Sequence, residues 1–77
     1  MTRAEREQTL LAALARFGSE WVEADAVNRA AWGVGRDRPS VVGDGRVLSR
    51  LAREGKCEVQ HDYISRYRPL QPTNEED

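Results

Sequence analysis

The sequence predicts a small α+β domain with the element order α-β-α-α-β-β. Three observations predict it. Apolar residues recur at helical spacing in three stretches, each stretch runs into a glycine, and after the last of these, Gly55, the pattern switches to alternation. A period near 3.6 marks helices and a period of 2 marks strands. At 77 residues the chain supports one domain with a single modest core.

The first helix is expected from about Arg3 to Phe17. Thr2 and Glu5 have the spacing of a capping box: the hydroxyl accepts from a free N–H while the glutamate reaches back. Leu10, Leu11, Leu14 and Phe17 form its apolar face, and Gly18 is placed to end it in a left-handed conformation. In "SEWVEAD", Trp21 and Val22 favour a short extended bridge, with Trp21 packed beneath the first helix. A second helix is expected from Ala24 to Trp32, with Val27, Ala30 and Ala31 inward and Gly33 as its stop. Trp32 is read as covering the core; the other reading is an apolar patch for a partner.

"GVGRDRPS" is the least regular stretch, broken by Gly33, Gly35 and Pro39. Ser40 can cap a helix from Val41, but Gly43 and Gly45 weaken such a helix by about 1 kcal/mol each relative to alanine. Asp44 is the alternative cap, for a helix starting at Gly45, and the later start is preferred. This third helix ends at Gly55. Val47, Leu48 and Leu51 cluster inward, while Arg46, Ser49 and Arg53 face outward, joined by Val42 if the helix starts early.

Beyond Gly55, Cys57 and Val59 alternate with Glu58 and Gln60 as in a half-buried strand. His61 and Asp62 are read as a tight turn. Tyr63 to Arg68 form the returning strand, with Tyr63, Ser65 and Tyr67 on one face and Ile64, Arg66 and Arg68 on the other. Pro69 and Pro72 end the hairpin. The domain therefore spans residues 1–70, and residues 71–77 form an acidic tail expected to be disordered.

Composition narrows the function. Apolar residues make up 39% and charged residues 32%, as in folded soluble domains. No apolar run approaches the roughly 20 residues that span a bilayer, and the N-terminus lacks the apolar region of a secretion signal. The expected location is the cytoplasm, with no membrane partner. Cys57 has no second thiol for a disulfide or a zinc site and reads as a small buried residue. One histidine and one cysteine make no catalytic or metal constellation, so neither an enzyme nor a cofactor is expected. "GVG" lacks the glycine pattern and the Lys-Ser/Thr of a phosphate loop. The formal charge is −1, yet Glu75, Glu76 and Asp77 hide a mildly basic body of eleven arginines and one lysine against ten acids.

In this order of elements the chain resembles the winged helix-turn-helix family. "TLLAALARFGSEWVEADAVNRAA" matches the first helix, bridge and second helix; "RVLSRLAREGKCEV" looks like a recognition helix running into a wing strand; "YISRYRPL" looks like the returning strand. The resemblance implies a DNA-binding protein, a transcriptional regulator whose third helix enters the major groove of double-stranded DNA. Arg46 would then meet base edges, Ser49 a base or a phosphate, and Arg53 a phosphate; the competing reading is an ordinary solvated helix face. Arg66 and Arg68 would hold the backbone from the wing, with His61 near its tip. The competing reading is that these arginines blunt an edge strand. Arg36 and Arg38 are further phosphate candidates. Gly35, Gly43 and Gly45 permit close backbone approach to a ligand or simply loosen a loop. A module this small implies a homodimer or a protein partner. The alternative use of the same fold is a protein–protein contact.

Overall fold

The computed structural model describes residues 1–71. Its elements are α1 (Arg3–Ala15), β1 (Val22–Glu23), α2 (Ala24–Trp32), α3 (Val41–Arg53), β2 (Cys57–His61) and β3 (Ser65–Pro69). This is an α+β layout of three helices and a three-stranded antiparallel sheet in the order α-β-α-α-β-β, the arrangement of a small winged helix. Apart from Gln71, the acidic tail expected at 71–77 lies outside the described residues. No helix among the described residues is long and apolar enough to cross a membrane.

The capping box forms at the start of α1: Glu5 N–H donates to Thr2 Oγ1 at 3.1 Å, and Thr2 N–H donates to Glu5 Oε1 at 2.9 Å. Regular helix stops at Ala15 rather than Phe17. The N–H groups of Arg16 and Phe17 bond the carbonyls three residues back, which tightens the last turn before Gly18 reverses the chain at φ 65. α2 has the expected bounds, and Gly33 ends it at φ 82. α3 starts earlier than the sequence suggests. Ser40 is its cap, accepting from Gly43 N–H at 2.9 Å, so Asp44 is not a cap at all.

In the sheet β3 lies between β1 and β2. Val22 and Val59 both pair with Tyr67, and Cys57 pairs with Pro69. The register His61↔Ser65 puts Asp62, Tyr63 and Ile64 in the hairpin loop, so the turn lies later than His61-Asp62 and Tyr63 is outside the strand. The core gathers Leu10, Ala13 and Leu14 of α1, Val27 of α2, Val47, Leu48 and Leu51 of α3, and Cys57 and Tyr67 of the sheet. Each fully buried leucine contributes about 1.5–3 kcal/mol. Trp32 packs against this core, as expected. Trp21 does not lie beneath α1: strand alternation turns it to the outer face of the sheet, where its ring carries the Arg68 guanidinium at 4.4 Å.

Cys57 is buried, its Sγ 3.6 Å from the Leu48 carbonyl oxygen. Burial, and secondarily the charge of Glu58, pushes its thiol up to about 11. The folded value lies above the unfolded one, about 8.5. Cys57 therefore favours the fold fully below about pH 8.5, and that contribution is lost as pH rises through about 11. At neutral pH a thiol reagent should label Cys57 only as fast as the protein opens. Rapid labelling of the native chain would contradict this placement.

The most consequential polar feature was not foreseen. Asp44 lies fully buried on the inner side of α3. Its Oδ1 accepts from Arg6 Nε at 2.8 Å and Arg6 Nη2 at 2.6 Å. Its Oδ2 accepts from Asn28 Nδ2 and Trp32 Nε1, both at 2.8 Å. One carboxylate thus ties α1, α2 and the first turns of α3 together, and Asn28 also donates to the Pro39 carbonyl at 2.9 Å, holding the connecting loop. Gly43 makes room for this: a Cβ there would sit 2.9 Å from Arg6 Nη2 and from the capping Ser40 Oγ. A Cβ on Gly45 would meet Ala24 Cβ at 3.6 Å, an ordinary contact. Close approach within the protein thus accounts for Gly43.

Candidate functional site

The outward side of α3 forms the candidate site. Val42, Gly45, Arg46, Ser49, Arg50 and Arg53 lie at spacings of three and four residues and so share one face. With Tyr67 of β3 they line an open depression of about 460 Å³. Asp44 fixes the N-terminal turns of this helix and Leu48 and Leu51 anchor it inward, so the outward side chains are set by the core.

Arg46 and Arg53 are exposed, and among the described residues neither has a carboxylate within 4.0 Å. Arg50 differs. Its guanidinium bonds Glu7 of α1, and Glu54 stands 4.0 Å from its Nε. The Arg50 bond, helped by Arg3, holds the Glu7 carboxyl below the usual carboxylate range. Arg50 thus lines the depression while being committed to α1.

At the floor, Ser49 Oγ lies 3.0 Å from Tyr67 Oη, which also donates to the Gly45 carbonyl at 3.2 Å. Ser49 is therefore half-buried and bonded, not a free hydroxyl on a solvated face.

The remaining candidates are placed elsewhere. Arg66 and Arg68 flank the buried Tyr67 and so project from the opposite face of the sheet. Arg68 Nε bonds Glu58 Oε1 at 2.6 Å while its guanidinium covers Trp21, an arrangement that serves the sheet. Arg66 sits opposite Glu23 and Gln60 in register, with no carboxylate within 4.0 Å among the described residues. Because β3 is the central strand, these arginines do not blunt an edge. Arg36 is exposed in the loop between α2 and α3, where Arg38 Nη1 donates to the Gly33 carbonyl at 3.3 Å. His61 ends β2, with Nδ1 3.0 Å from Ser65 Oγ, and the wing tip is Asp62, Tyr63 and Ile64. Tyr63 and Ile64 are exposed there.

The structure thus brings together Arg46, Ser49 and Arg53, joins Val42 to them because α3 starts early, and adds Arg50 and the Tyr67 hydroxyl. Sequence reading could not add Tyr67, because its contact with α3 spans residues 18 and 22 positions apart. Among the described residues no group of three or more His, Cys, Asp or Glu is placed to hold a metal ion. No protein-family model, no curated protein and no solved structure matches the chain.

Proposed function

We propose that the chain is a DNA-binding protein of the winged helix-turn-helix kind, a cytoplasmic regulator of transcription that lays α3 in the major groove of double-stranded DNA. The placement of unpaired cations supports this reading. Arg3, Arg6, Arg29, Arg50, Arg68 and Lys56 each have a carboxylate partner; Arg16, Arg36, Arg38, Arg46, Arg53 and Arg66 have none among the described residues, and of these Arg46 and Arg53 share the outward face of α3. Cations left without internal partners on one helix face are available to phosphates and guanine edges. Arg46, nearer the N-terminus of α3, takes a base edge, and Arg53 takes a phosphate. Arg36 and Arg38 add phosphate contacts from the loop, and Arg66 from the sheet. Arg68 contributes less, being held by Glu58. A single module of this size covers little DNA, so two copies act together.

Titration of a random-sequence duplex across salt concentrations tests the reading. With two to four phosphates neutralised per copy, the log–log slope should be about −2 to −4. No binding at low salt would refute it.

A second reading, a protein–protein module, is favoured by one observation. The wing tip exposes Tyr63 and Ile64, while Val42 is exposed on α3 and Val34 in the loop after α2. An apolar contact through these groups would be nearly indifferent to salt, which separates the two readings in the same titration.

A further inference from the structure

We infer that Ser49 meets DNA only as a hydrogen-bond acceptor, so that α3 selects an amino base, cytosine or adenine, over a keto base at one position. This rests on the DNA-binding reading and specifies what that face recognises.

A serine hydroxyl ordinarily donates or accepts, and therefore discriminates poorly among bases. Here its neighbours remove that freedom. The Gly45 carbonyl can only accept, and Tyr67 Oη lies 3.2 Å from it. Tyr67 has one proton. Donated to Gly45, it leaves the phenolic oxygen to accept from Ser49 across 3.0 Å, and both bonds are made. If Tyr67 donated to Ser49 instead, two oxygen lone pairs would face each other at the Gly45 carbonyl. Tyr67 is only 2% exposed, which leaves water little room to relieve that clash. The run Ser49 → Tyr67 → Gly45 is therefore the one that satisfies all three groups, and Ser49 has only lone pairs left for a ligand in the depression.

Arg46 and Arg53 carry donors and no acceptor. The face of α3 thus offers donor, acceptor, donor. Along the helix axis Ser49 is about 4.5 Å from Arg46 and about 6 Å from Arg53, or roughly one and two base-pair steps. Guanine O6 and N7 suit Arg46, a phosphate suits Arg53, and cytosine N4 or adenine N6 suits Ser49. A keto oxygen, or a phosphate, would bring lone pairs against lone pairs. Each base pair shows one amine in the major groove, so Ser49 reads which strand carries it.

Selection from a randomised duplex library tests this with the wild-type chain, Ser49→Ala and Tyr67→Phe. Wild type should enrich adenine or cytosine over guanine or thymine at one position by about fivefold or more, in line with the cost of one mismatched pair. Ser49→Ala should level that position. Tyr67→Phe removes the acceptor that takes the Ser49 proton, so keto and amino bases should be enriched alike there while the guanine preference at the position read by Arg46 persists. Enrichment with no amino preference, or a preference unchanged in Tyr67→Phe, would overturn the inference and leave the DNA reading standing. A library with no enriched duplex would remove both. Proton NMR of the free wild-type protein checks the bond direction without DNA and without a folding risk. The Ser49 hydroxyl proton should lie against the Tyr67 phenolic oxygen and the Tyr67 hydroxyl proton against the Gly45 carbonyl oxygen; the reverse polarity would overturn the inference.

Discussion

Replacing Asp44 by alanine should cost about 3–5 kcal/mol, the usual penalty for breaking a buried charge pair from one side. For 77 residues the whole folding free energy is roughly 4–12 kcal/mol. The variant should therefore be marginal or unfolded at ambient temperature. The size follows from what is left behind. Trp32 Nε1 loses its acceptor, Asn28 Nδ2 keeps only Pro39, and Arg6 is left beside a vacated site. Asp44→Asn should also destabilise, because its amide N–H₂ must face at least one of these donors. Trp32→Phe is the milder control, since it removes one donor and leaves Asn28 on the same oxygen, at about 1 kcal/mol. Urea denaturation followed by far-UV circular dichroism reads all three. An Asp44→Ala variant within about 1 kcal/mol of wild type would mean that the carboxylate does not hold the helices together.

Changing Arg46 and Arg53 together to alanine should remove DNA affinity while sparing the fold. Good arginine contacts to base edges are worth about 1–3 kcal/mol each. A comparable phosphate contact at Arg53 brings the expected loss to about 2–6 kcal/mol for the pair, and the salt slope should flatten with the lost charges. Stability should stay within about 0.5 kcal/mol of wild type, since both side chains are exposed and neither is ion-paired among the described residues. A duplex titration at low salt, run beside the urea melt, separates the effects. Retained affinity would show that α3 does not present the binding face. Arg50→Ala should behave differently and lose stability, because Arg50 is held by Glu7.

Much of the fold was legible because it is encoded locally. The Thr2–Glu5 cap, the glycine stops at Gly18, Gly33 and Gly55, and the alternation from Cys57 onward each act within a few residues. The start of α3 is hard to read because two glycines in its first turns count locally as helix penalties or loop residues, while the room that Gly43 makes is for Arg6, which is distant in sequence. Asp44 was mistaken for a cap for the same reason: its partners lie 12 to 38 residues away. A signal did exist. Asp44, Leu48 and Leu51 stand at i, i+4 and i+7, so an early-starting helix places the aspartate on the buried stripe. Of the site, the outward arginines of α3 were readable from helical period alone. The division between Arg46 and Arg53 on one side and Arg66 and Arg68 on the other required knowing that Tyr67 turns inward to α3, and rejecting an edge role for the latter pair required the sheet order.

That sheet order has a consequence during synthesis. β3 follows β1 and β2 in the chain yet is the middle strand, and among the described residues β1 and β2 have no partner other than it. A nascent chain halted before Ser65 can wind its helices but owns no ladder at all. Tyr67, which closes the core and touches α3, is likewise missing until then. Cooperative folding must therefore wait until the chain through Pro69 is made, and until then the helices keep their apolar sides uncovered.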